Sequence, residues 1–142
     1  MTPPRRLTQL PSWLVGQAAQ RASRLVNDAL GEEGFRRHHF AVMTALAEDG
    51  AASQAELGRR VWLDRSDLHA VLNELERDGL VARTQDERDR RRNLVALTPA
   101  GTTTLKRLDA RVDAAQERFL APLTAAEREE LLRMLAVVAS AE

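Results

Sequence analysis

Apolar residues recur at steps of three and four along most of the chain, the period of amphipathic helices. Leu14, Ala18, Ala22, Leu25, Val26 and Ala29 mark a first helix from about Pro11 to Leu30, closed by "GEEG". A second is predicted from about Phe35 to Glu48, with Phe40, Val42, Met43, Leu46 and Ala47 inward and "EDG" at its end. Two short helices follow. In "SQAE", Ser53 and Glu56 have capping-box spacing, where each side chain satisfies an orphan backbone donor. "LDRSDL" repeats that logic, with Asp64 as N-cap, Asp67 at the third helical position, and Leu63 and Leu68 placed as a hydrophobic staple. The helix it begins carries Leu68, Val71, Leu72 and Leu75 on one side and stops at Gly79.

Only Val61 to Leu63 separate these two helices, which is the helix-turn-helix pattern. The pattern then changes to alternation: "GLVART" and "NLVALT" read as two strands joined by the charged run Asp86 to Arg92. A β-hairpin directly behind a helix-turn-helix is a winged helix. Thr98 as N-cap and Pro99 at the first helical position restart helix, since the missing proline N–H has no helical partner there. Leu105, Leu108, Val112, Ala115 and Phe119 form a coiled-coil-like seam on it, and Pro122 breaks it. "TAAE", Thr124 to Glu127, caps a last helix bearing Leu131, Leu132, Leu135, Val138 and Ala139. The fold class is therefore mainly α with a small β-hairpin wing.

Composition narrows the function. A chain of 142 residues has the length of one domain. With 21 basic and 21 acidic residues it lacks the broad basic footprint of many nucleic-acid binders, so any phosphate-binding surface must be local. No cysteine is present, which excludes disulfides, thiolate metal sites and thiol redox sensing. His38, His39 and His69 lack metal-ligand spacing, so neither metal nor other cofactor is expected. No glycine-rich phosphate loop and no nucleophile with a positioned base is evident, which argues against an enzyme. No apolar run approaches a membrane span, and the N-terminus is too polar for a secretory signal; a cytoplasmic location is the expectation.

The segment "GLVARTQDERDRRRNLVALTPAG", residues 79–101, resembles the wing signature of the MarR family of transcriptional regulators. The matching positions are Asp86, Arg88, Asp89, Arg91, Leu97 and Thr98, and the likeness extends over nearly the whole length. It implies one MarR-like unit over residues 1–142, with a winged helix-turn-helix DNA-binding region at 35–98 and helical dimerisation regions at 10–30 and 99–141. In such proteins the first and last helices intertwine into a homodimer whose winged helices grip a roughly palindromic operator. The apolar seams at both ends of the chain agree with this. A repressor is expected rather than an activator; the alternative is a winged-helix protein-interaction module without DNA-binding activity.

The wing gives the charged run a purpose. A hairpin tip bearing Arg88, Arg90, Arg91 and Arg92 is thin enough to enter a minor groove, whose negative potential attracts guanidinium groups. The resemblance selects Arg91 for the deepest insertion. Asp89 is expected to orient a neighbouring arginine, since a carboxylate facing phosphates is repelled. On the recognition helix, Arg65, Ser66, His69, Ala70 and Asn73 lie opposite the buried leucines and face a major groove. Arg65 suits guanine, and Asn73 suits adenine or a phosphate. Family members often carry Thr and Arg where this chain has Asp67 and Ala70, which leaves the operator sequence open; Asp67 is read as a cap. Ser53 and Gln54 start a helix whose N–H groups suit a phosphate, and they serve equally as a cap. Arg59 and Arg60 either add phosphate contacts or cover the surface. The resemblance also implies a small aromatic carboxylate or phenol as effector, for which Trp13, Arg21, His38, His39 and Phe40 are pocket candidates, though the same residue types serve as core at helix junctions.

Overall fold

The computed structural model describes residues 1–142. Its elements, in order, are α1 (Arg5–Thr8), α2 (Pro11–Gly31), α3 (Arg37–Asp49), β1 (Ala52–Ser53), α4 (Gln54–Val61), α5 (Arg65–Arg77), β2 (Val81–Gln85), β3 (Asn93–Leu97), α6 (Pro99–Leu120) and α7 (Ala125–Ser140). They pack as two units, residues 27–111 and residues 1–26 with 112–142.

In the first unit, the helix-turn-helix is built as its caps dictate. The Ser53 hydroxyl accepts from the Glu56 amide at 3.2 Å, and the Glu56 carboxylate accepts from the Ser53 amide at 3.3 Å. At α5, Asp64 accepts from the Asp67 amide at 2.8 Å, but no reciprocal bond from Asp67 is made. Its side chain is one methylene shorter than the glutamate of a full box and does not reach back. The turn between the helices passes through Trp62, the only non-glycine residue with positive φ (55°), and this tight reversal brings α5 in against α4. Val42, Met43, Leu46, Leu57, Leu68, Val71, Leu72 and Leu75 then close one core, joined by Leu80, Val81 and Val95 from the hairpin.

The hairpin is not alone. Ala52 and Ser53 form a short third strand, giving a sheet of order β1-β3-β2 in which Ala52 pairs with Val95 and Arg83 also faces Val95 from the other side. Two residues are too few to give an alternation in the sequence, so this strand went unpredicted. Nor was the single turn α1 foreseen. The second long helix starts later than expected because Arg36 is extended (φ −117°, ψ 164°), and Ala47 is exposed rather than inward. At the sheet's other end, Thr98 both caps α6, accepting from the Gly101 amide at 3.0 Å, and donates to the Gly79 carbonyl at 2.7 Å. Gly101 is required there: a Cβ would drive into the Leu80 carbonyl and the Leu97 side chain.

In the second unit, Arg21 donates to the Phe119 and Arg118 carbonyls at 2.6 and 2.9 Å and lies over the Phe119 ring. It thus satisfies orphan carbonyls at the end of α6. Thr124 and Glu127 form a complete capping box on α7. Here the apolar seams do not close: Leu14 and Val15 on α2 are about half exposed, while Leu132 and Val138 on α7 are 73% and 70% exposed.

Candidate nucleic-acid interface

The wing is shaped by side chains that bind its own backbone. The Asp86 amide donates to the Arg92 carbonyl at 2.8 Å, closing the hairpin below the charged run. Above it, Asp86 Oδ1 accepts from the Arg88 amide at 2.9 Å, and Asp89 Oδ1 accepts from the Arg91 amide at 3.0 Å. Gln85 Nε2 donates to the Arg90 carbonyl at 2.6 Å. The two aspartates of the run therefore act as Asx-turn acceptors, fixing where the arginines leave the backbone. Asp89 orients Arg91 through its amide rather than through a side-chain ion pair.

The four tip arginines divide. Arg88, Arg90 and Arg91 are exposed and engage no carboxylate. Arg92 instead reaches back to Glu56 on α4, with Nη2 to Oε1 at 2.9 Å, and lies 3.8 Å from Asp86. Its guanidinium ties the base of the wing to the helix-turn-helix, unlike those of the other three tip arginines. Glu56 is held below the usual carboxylate range first by the Ser53 amide and then by Arg92. Ser53 is 8% exposed, and its hydroxyl is engaged in the cap beside the Glu56 carboxylate. Gln54 remains half-buried beside it.

On α5, Arg65, Ser66, His69, Ala70 and Asn73 are all exposed, opposite the buried Leu68, Val71, Leu72 and Leu75. Asn73 is not free: its Oδ1 accepts from Arg83 Nη2 on β2 at 3.0 Å. On the neighbouring flank of α5, Glu74 accepts both from Arg36 at 2.8 Å and from His39 Nε2 at 2.6 Å. His39 Nδ1 accepts from the Arg36 amide at 2.9 Å, so the neutral ring carries its proton on Nε2 and donates to Glu74. The His39 bond, then Arg36, holds the Glu74 carboxyl low. Sequence reasoning missed Glu56, Glu74 and Arg83 as braces. The available signal was a charged residue inside a periodic apolar element, which points to a partner without saying which.

Of the pocket candidates, His38, His39 and Phe40 lie in the first unit, and Trp13 and Arg21 in the second. Arg21 caps α6, and His39, 5% exposed, braces α5. Trp13 and His38 are half-buried. Phe40 borders a shallow groove of about 370 Å³ with Thr44, Asp49 and Arg60. Within the second unit, Leu14, Ala18, Phe119, Leu131 and Leu135 line an apolar groove, also about 370 Å³. No group of three or more His, Asp or Glu side chains is placed to hold a metal. No helix is long and apolar enough to cross a membrane.

Residues 33–92 match the family model described as the MarR family. An HTH-type transcriptional repressor of Mycobacterium tuberculosis is 36% identical over 110 residues, covering 78% of this chain and 79% of that protein. A relative from Thauera aromatica is 33% identical over 103 residues, a match that spans only 62% of its length. Among solved structures, the PcaV transcriptional regulator of Streptomyces coelicolor in complex with its natural ligand superposes with a TM-score of 0.81 at 33% identity, covering 99% of both chains. A mutant MarR of Escherichia coli complexed with operator DNA gives 0.79 at 25% identity, covering 88% of this chain and 90% of that one.

Proposed function

This chain belongs to the MarR family of transcriptional regulators, and on that premise we propose that it is a homodimeric, sequence-specific DNA-binding repressor. The observation that carries the proposal is the pairing, within one rigidly capped unit, of an exposed polar face on α5 with three unengaged arginines at the wing tip. A helix of this kind fits the major groove, and the guanidinium groups fit the minor groove beside it. Because the chain is neutral overall, affinity depends on where the arginines stand rather than on bulk charge. The Escherichia coli relative seen on operator DNA supports the same use of the fold.

Homodimerisation is supported by the open apolar faces of α2 and α7, which a monomer would leave in water. Response to a small-molecule effector is supported by the Streptomyces relative solved with its natural ligand; the aromatic acid or phenol class is what the family resemblance implies. Catalysis has no support from the site.

The test is binding to fragments of the protein's own upstream DNA at two salt concentrations, with Arg91→Ala in parallel. One fragment should bind tightly, more weakly at the higher salt, and about tenfold more weakly with the variant, in line with loss of one or more charge-assisted contacts. The same complex, titrated with a panel of aromatic carboxylates and phenols, should release its DNA with at least one of them. Failure of the folded dimer to bind any fragment, genomic library included, would overturn the proposal.

A further inference from the structure

Asn73 and Arg83 together carry an inference about operator sequence. Asn73 shares its exposed helix face with Ser66 and His69, which lie seven and four residues earlier. An asparagine on such a face ordinarily reads adenine by a paired contact, accepting from the N6 amino group through Oδ1 and donating to N7 through Nδ2. In this protein Oδ1 is already bound to Arg83 Nη2 at 3.0 Å. The assignment of oxygen and nitrogen in the amide follows from chemistry, because a guanidinium has no acceptor and only Oδ1 can face it. Arg83 is itself confined. It arises from the middle of β2, its side chain is 18% exposed, Glu76 lies 3.9 Å from Nε, and Nε is buried without a hydrogen bond.

We propose that Arg83 biases Asn73 toward donation, so that it favours a guanine over an adenine in each operator half-site. Arg83 takes one of the two lone pairs of Oδ1 and sets a cation beside the other, so the adenine amino group, a donor with partial positive charge, meets a guanidinium at the acceptor it needs. The Nδ2 amino group keeps both hydrogens, since the guanidinium offers no acceptor for them. Guanine presents two adjacent acceptors, N7 and O6, and has no donor on that edge. The inference rests on the DNA-binding function proposed above and specifies one of its contacts.

The experiment selects binding sites from a randomised half-site pool with the full-length wild type, Asn73→Asp and Arg83→Met, and measures each variant's melting temperature. Asn73→Asp keeps an acceptor for Arg83 and replaces the outward donor with a charged acceptor. The expected result is one half-site position at which the wild type prefers guanine to adenine by about tenfold, within the range of a good base contact. That preference disappears in Asn73→Asp at unchanged melting temperature, and it moves toward adenine in Arg83→Met. If Arg83→Met fails to fold, the Asn73→Asp comparison decides alone. Adenine preferred by the wild type at the affected position overturns the proposal. An unchanged site logo in Asn73→Asp, with or without a uniform loss of affinity from the added carboxylate, also overturns it. A wild type that selects no sequence removes this inference together with the functional one, whereas the other failures leave DNA binding intact.

Discussion

Arg91 and Arg92 are chemically identical neighbours, and the difference between them lies in the carboxylates within reach. Arg91 leaves a backbone held by Asp89 and meets no acid, while Arg92 binds Glu56 and lies near Asp86. Arg91→Ala should therefore weaken DNA binding without moving the melting temperature. Arg92→Ala should do less to affinity at matched folding, while raising amide hydrogen exchange along the wing. Asp89→Ala should mimic a mild Arg91 defect, since the arginine remains but its exit direction is no longer set. Gly101→Ala tests packing of another kind. The new methyl group meets backbone, which cannot swing aside, and an overpacked site of this sort costs about 1–3 kcal/mol. Chemical denaturation should show that loss, and an unchanged midpoint would mean that α6 shifts freely against the hairpin.

At the scale of elements, the helix-turn-helix depends on caps and braces more than on propensity, because α4 spans only eight residues. Ser53→Ala should cost about 0.5–2 kcal/mol, the usual range for a lost N-cap, measured by urea unfolding. Glu56 and Glu74, both depressed in the folded state, contribute to the acid limb of stability together with Glu127 and Glu130. A depressed carboxyl contributes stability above its unfolded value, near 4.3, and loses it as pH falls through the lower folded value. The melting temperature should thus be flat with respect to these groups from about pH 7 to 5 and fall below about pH 4. Glu74→Gln should lower the melting temperature at neutral pH and make the acid decline shallower. An unaltered acid limb in that variant would show that the tie from α3 to α5 contributes nothing.

For the whole molecule, the decisive quantity is the apolar area left open by a single chain. Leu132, Val137 and Val138 on α7 are each more than half exposed, with Leu14 and Val15 on α2 close to half. Sedimentation at micromolar concentration should find a dimer. Leu132→Glu combined with Val138→Glu should give monomers, because a carboxylate buried in an apolar interface without a partner is strongly unfavourable. The monomer should also lose operator affinity by orders of magnitude, since two half-sites bound by one linked molecule gain from effective concentration. A monomeric variant that bound the operator at full strength would separate dimerisation from recognition.

Much of this architecture was legible because local chemistry repeats at fixed spacing. The caps at Ser53, Asp64, Thr98 and Thr124 fall where the sequence placed them, and the buried faces of α3 and α5 follow their apolar period. The hairpin and its arginine tip could be read for the same reason: alternation and a run of charge are properties of neighbouring residues. What remained hidden were meetings between residues distant in sequence. Arg92 finds Glu56 across 36 positions, His39 finds Glu74 across 35, and Ala52 joins a strand that begins more than 40 residues later. Where helices begin, which faces are apolar and where positive charge gathers are set by residues close together along the chain. Which of those charges stay free of carboxylates is set by folding, because an ion pair depends on a few ångströms of separation that no local period encodes.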